Sequence, residues 1–171
     1  MAFTRTPLPR ITIMFEHYRE LENSLHEVSK WIGRVKGLLA NRRPAPEAYL
    51  SAMRGIRALQ QAWALHLQIE CVVFPRILCR NLLSAEFLER ITVRNQAIEE
   101  QLEAILSAAW PRSAQAGLKC VQTGVAGILG QLLDQVKCER GVLLPAILKK
   151  DREPPAVRIE AETAELIATG S

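Results

Sequence analysis

Proline and glycine cut this chain into four long stretches, and each carries one ladder of apolar residues at helical spacing. The first runs from about Ile11 to Ala40 through Met14, His17, Leu21, Leu25, Val28, Ile32, Val35 and Leu39. NRRPAP interrupts it, because a residue before proline avoids the α region. The second runs from about Pro46 to Arg80 through Ala52, Ile56, Leu59, Trp63, His66, Glu70, Val73 and Ile77, and proline suits a first helical position. Ser84 can cap the third, with Phe87 at the third helical position. Its line is Leu88, Ile91, Asn95, Ile98, Leu102, Ile105 and Ala109, closing at Trp110-Pro111. The fourth spans about Ala114 to Lys150 through Val121, Val125, Ile128, Leu132, Gln135, Glu139 and Val142, and DREPP ends it. Short turns between long amphipathic helices make neighbours antiparallel. The sequence therefore predicts an all-α, up-down-up-down four-helix bundle over residues 11–150. Residues 1–10 form an extended lead, and residues 151–171 a tail with room for a short amphipathic turn.

Composition agrees with one helical domain. The chain has 171 residues and is 49% hydrophobic but only 5% aromatic, an aliphatic mix that suits helices better than sheets. Up to Arg80 there are 12 basic against 6 acidic residues, and beyond it 10 against 12. The positive excess is thus diffuse, which argues against a nucleic-acid partner. The opening MAFTRTPLPR has no apolar segment of the exported type, and the longest uncharged run, Cys120 to Leu133, is too short to span a bilayer. Cys71, Cys79, Cys120 and Cys138 show neither CxxC nor zinc spacing, so reduced thiols in a cytoplasmic protein are expected. Nothing in the sequence speaks to an oligomeric state.

The informative residues are polar ones standing on apolar ladders. His66 and Glu70 share one face of the second helix at i,i+4 spacing, opposite the wet side of Arg54, Arg57, Gln61 and Gln68. Gln135 and Glu139 repeat that arrangement on the fourth, while His17 and Asn95 interrupt the first and third. His26 points away. Counting at ~1.5 Å per residue from the first two loops brings His17, His66, Glu70 and Asn95 to within a turn of one level. Gln135 and Glu139 can join them. Two carboxylates facing each other in an aliphatic core must be protonated, paired with an imidazolium or neutralised by a cation. Facing helices that project His and carboxylate inward are also how bundles hold iron or manganese.

In these features the chain resembles the hemerythrin-like (HHE cation-binding) family. The stretches that carry the resemblance are EHYREL (16–21), HLQIECVVFPRIL (66–78), RNQAIEEQLEAIL (94–106) and QVKCERGVLLPAIL (135–148). VVFPRIL and VLLPAIL at matching helix ends are the more specific part, since proline late in a helix is uncommon. The resemblance implies a four-helix bundle around a non-haem di-iron site, with His17, His66, Glu70 and Glu139 as metal ligands. Two of the family's histidine positions read Asn95 and Gln135 here, so the resemblance implies a diverged site. That site would hold one or two iron ions for small-ligand or oxygen sensing, storage or stress response. The other reading is a metal-free module whose polar layer fixes helix register and whose surface contacts a protein partner. Catalysis would need an intact redox metal, which Asn95 and Gln135 argue against. One alignment stays open. The second helix has one residue fewer between its glutamate and its proline than the fourth, and counting back from Pro75 would select Leu65 and Ile69. Helical phase selects His66 and Glu70. Cys71 and Cys138 lie beside the two glutamates, either as small packing residues or as soft ligands or redox thiols.

Overall fold

The computed structural model describes residues 10–40, 46–108 and 114–151, and side chains over 16–40, 47–108 and 117–149. It is all-helical. The elements are α1 (Arg10–Ala40), α2 (Pro46–Cys79), α3 (Ala85–Ser107), α4 (Ala114–Cys138), a π-helical turn (Glu139–Leu143) and α5 (Leu144–Asp151). No strand occurs among the described residues. The expected lead over 1–9, the tail beyond 151, and the ladder positions Met14 and Ala109 lie outside the described residues or side chains.

Local chemistry sets the element ends. Ser84, in an extended conformation, accepts from the Phe87 amide at 3.2 Å and caps α3. Asn81 closes α2 with a left-handed φ of 52°. The Asn81 and Leu82 amides then reach back to the carbonyls of Leu78 and Ile77, which satisfies the last turn.

The helices form one bundle. α1 packs on α2, α4 and α5, and α2 also packs on α3 and α4, with α3 against α4. The core is the set of ladders read from the sequence: Leu21, Leu25, Val28 and Ile32 meet Ile56, Leu59, Trp63, Ile98, Leu102, Val125 and Leu132, all buried. α1 and α2 approach closely at Gly55, where an added Cβ would stand 2.9 Å from Leu38 Cδ1. Among the described helices only α2 is apolar and long enough to cross a membrane, with an 18-residue window of mean hydropathy 1.3. Part of that apolar excess lies on the surface, at Leu50, Leu65, Val72 and Leu78.

One expectation changes at the end of α4. Val142, placed on the inward ladder, is 42% exposed, and Leu143 is buried in its stead. The cause is the π turn, in which the Leu144 amide reaches the Glu139 carbonyl and one extra residue fits into the helix. The insertion advances the inward face by one position. It also settles the alignment of the two proline-bearing segments, because the extra residue between Glu139 and Pro145 is taken up without moving the glutamate off the inward face. Accordingly His66 and Glu70 are buried, whereas Leu65 is 57% exposed. Val142→Ser is then expected to leave urea unfolding within about 0.5 kcal/mol of wild type. A loss beyond ~1.5 kcal/mol would return Val142 to the core.

Candidate metal centre

Among the described residues, six polar ones are buried within this aliphatic core: Ser24, His66, Glu70, Asn95, Gln135 and Glu139. Five of them were legible as interruptions of the ladders. Ser24 was not, and His17 does not join them. His66, Glu70 and Glu139 bring one ligand atom each to within 4.8 Å of one another. His17 lies seven residues from Ser24 along α1, two turns or ~10 Å of axial rise. There its Nδ1 is 3.3 Å from Glu20, and its buried Nε2 has no hydrogen-bond partner. The count from the loop missed this because α1 meets His66 at Ser24, whose Oγ is 2.9 Å from His66 Nδ1.

Each of the three central residues is hydrogen-bonded outward by one atom and turns the other toward its two neighbours. Ser24 donates its only hydroxyl proton to the Leu21 carbonyl at 2.8 Å. Its oxygen can therefore only accept from His66, so the ring carries its proton on Nδ1 and turns Nε2 toward the two glutamates. Asn95 Nδ2 donates to Glu70 Oε2 at 2.6 Å, which leaves Glu70 Oε1 unbonded. Gln135 Nε2, one helical turn earlier in the chain, donates to Glu139 Oε1 at 2.8 Å, which leaves Glu139 Oε2 turned toward His66. Trp63 walls the site: its ring lies 5.1 Å from that of His66, and its Nε1 donates to the Asn95 carbonyl at 3.4 Å.

Nε2, Glu70 Oε1 and Glu139 Oε2 thus converge with their other atoms already engaged. Nε2 is 2.9 Å from Glu139 Oε2 and 3.5 Å from Glu70 Oε1, ion-pair distances when His66 is protonated. In neutral His66 three lone pairs face one another, an arrangement that repels unless a proton or a metal ion lies between them. Two carboxylates and a neutral imidazole would balance a divalent cation, giving a site of zero net charge in a low-dielectric core.

Protons can balance the same groups. Burial pulls the His66 imidazole down, but Glu139 and Glu70 beside it outweigh this and hold it at about 9, up from 6.5. Burial pushes the Glu70 carboxyl up from 4.5 to about 7, with the Glu139 charge adding and His66 and Asn95 opposing. The cluster can therefore neutralise itself with protons in mildly acidic solution.

Asn95 and Gln135 stand where the family resemblance puts histidines. Their amide groups are engaged as donors to the two carboxylates, so the residues present fit one ion and do not fit two. Cys71 is exposed, Cys138 is partly buried, and neither belongs to the cluster. The serine is legible only in retrospect. It sits three residues past Leu21 on the inward face, and a small hydroxyl there carries no signal until His66 is known to be its partner.

Ser24→Ala would leave His66 Nδ1–H buried without an acceptor, an expected loss of ~1–3 kcal/mol by urea unfolding of the metal-free protein. An unchanged midpoint would mean that the ring proton finds another acceptor. No family model, curated protein or solved structure matches this chain.

Proposed function

We propose that this chain is a hemerythrin-like cytoplasmic protein that holds one divalent transition-metal ion, iron foremost, between His66, Glu70 and Glu139. Its role on this reading is sensing, storage or stress response through a small ligand at the ion. The observation that carries the proposal is the convergence of three buried ligand atoms, one from each of His66, Glu70 and Glu139, whose parent groups are oriented by Ser24, Asn95 and Gln135. Outer partners of this kind fix ring tautomer and carboxylate direction in metal sites. An N/O donor set without thiolate suits iron, manganese or zinc, and iron is chosen on the family resemblance. Three protein ligands leave open positions, and the ion would offer these to a small ligand.

Contacts between helices support the up-down-up-down arrangement. Gly55 lies beside Leu38 and His66 beside Ser24, so α1 and α2 run in opposite directions. Gln101 pairs with Gln131 and Ile105 lies beside Gly124, the same pattern for α3 and α4. We place α2 in this bundle and not in a bilayer, because its inward line carries His66 and Glu70 onto partners from α1, α3 and the π turn.

Metal analysis of protein purified without added metal, with its absorption spectrum, tests the reading. Iron or manganese near one per chain is expected, lost in Glu139→Ala and retained at least in part in His17→Ala. Stoichiometry near zero, with melting unchanged by added Fe²⁺, would refute it. The self-neutralising cluster favours one rival, a metal-free interaction module with a structural polar layer. On that reading His66→Leu combined with Glu70→Leu preserves or raises stability, since apolar replacement of a buried ionic cluster is often neutral or stabilising.

A further inference from the structure

The three ligand atoms are buried, so an ion must reach them through the wall of the bundle. A groove between α1 and α2 reaches only Ser24, whose oxygen is already engaged with Leu21 and His66. The cleft between α2 and α3 is different. It encloses about 370 Å³ and has Glu70 itself in its wall, together with Cys71, Phe74, Pro75, Asn95 and Glu99.

Beside Thr92 and Gln96, this cleft gathers several acceptors that lack a donor or carry negative charge. Asn95, which is 1% exposed, has an Oδ1 with no hydrogen-bond partner, and Glu70 Oε1 has none either. Glu99 stands partly exposed in the same wall. Pro75 has no amide hydrogen, so the Cys71 carbonyl lacks its usual helical donor. Among the described residues, no Lys or Arg lines the cleft. Carboxylates and carbonyls without a nearby cation attract hydrated cations and repel anions.

From this we infer that the α2–α3 cleft is the route by which a hydrated divalent cation loads the His66–Glu70–Glu139 site, with Glu99 as its outer acceptor and Asn95 Oδ1 as the inner one. The inference rests on the metal-binding reading and adds where the ion passes and what selects it. Cations load quickly, and small anions gain access to the ion slowly if at all.

Cys71 is an exposed thiol in the cleft wall and gives a direct test. In a chain with Cys79→Ser, Cys120→Ser and Cys138→Ser, Cys71 is alkylated with a bulky maleimide, and Co²⁺ binding to metal-depleted protein is followed by stopped-flow absorption. A matched chain keeping only Cys120, exposed on α4, is labelled as the control. Loading slowed by ~10-fold or more on Cys71 labelling, with the same final cobalt content and an unaffected control, is the expected result. Glu99→Gln, which needs no label, should lower the loading rate several-fold and weaken its dependence on salt. Equal rates for labelled and unlabelled Cys71 protein, with full cobalt content in both, would overturn the route while leaving the metal site intact. No cobalt bound in any of the chains would remove both.

Discussion

Glu139→Gln is expected to abolish the stabilisation that a divalent ion gives this protein while leaving the metal-free fold nearly as stable as before. The substitution keeps shape and volume, and the amide oxygen can still accept from Gln135 Nε2. In the absence of metal it removes one of two carboxylates crowded around one imidazole in the core. His66 still has Glu70 beside it, at 3.5 Å from Nε2, so no bare charge is created. The metal-bound state loses much more. One anionic ligand disappears, and the charge of the filled site rises from zero to +1 where burial of an uncompensated charge costs several kcal/mol.

The size of the effect follows from linkage. An ion present at about 100 times its dissociation constant adds ~2.7 kcal/mol to folding, and for a chain of this size that raises Tm by roughly 5–10 °C. Wild type should show that rise with Fe²⁺ under anaerobic conditions or with Mn²⁺, and Glu139→Gln should show none. Differential scanning calorimetry with and without metal reads both. A variant that keeps the full shift would mean that Glu139 is not a ligand. A wild type with no shift would leave the polar layer to structure alone.

Much of this site is legible in the sequence, for specific reasons. A buried carboxylate or imidazole at a ladder position is conspicuous because everything around it is Leu, Ile or Val, so His66, Glu70, Asn95, Gln135 and Glu139 announced themselves by phase alone. The roles of Asn95 and Gln135 did not follow from phase. An amide at a ligand position looks like a lost ligand until its donor atom is found on a carboxylate oxygen, and that requires two helices to be placed against each other. Ser24 lay beyond reach for the same reason. Val142 failed for another: a 3.6-residue ladder extrapolates through a π turn without sensing it, and only the count from each glutamate to its proline carried a trace of the inserted residue. His17 shows the limit of counting from loops, since an axial offset of a few residues suffices to take a side chain out of a three-atom cluster.

The metal-free protein should become less stable as pH rises from about 5 to 9, and bound metal should reverse that trend. Glu70 has a native pKa of about 7 against 4.5 when unfolded, and His66 about 9 against 6.5. Both values are raised, so across this window the native state holds protons that the unfolded chain has released. Stability then falls with pH. Their contribution is complete below the unfolded value of each group and is lost as pH passes about 7 for Glu70 and about 9 for His66. The two groups share one environment and titrate as a pair, so one continuous fall in Tm across this window is the expected reading. Glu27, lowered by its hydrogen bond to Lys30, acts in the opposite sense, but on the surface where solvent screens it. A divalent ion competes with the same protons for Nε2 and the carboxylates, so its stabilising effect grows over the same range. The gap in Tm between Mn²⁺-loaded and metal-free protein should therefore widen steadily from pH 5 to pH 8. In the His66→Leu, Glu70→Leu double variant both the slope and the gap should vanish. A metal-free Tm that is flat or rising over this range would show that the cluster is not held together by the protons assigned to it.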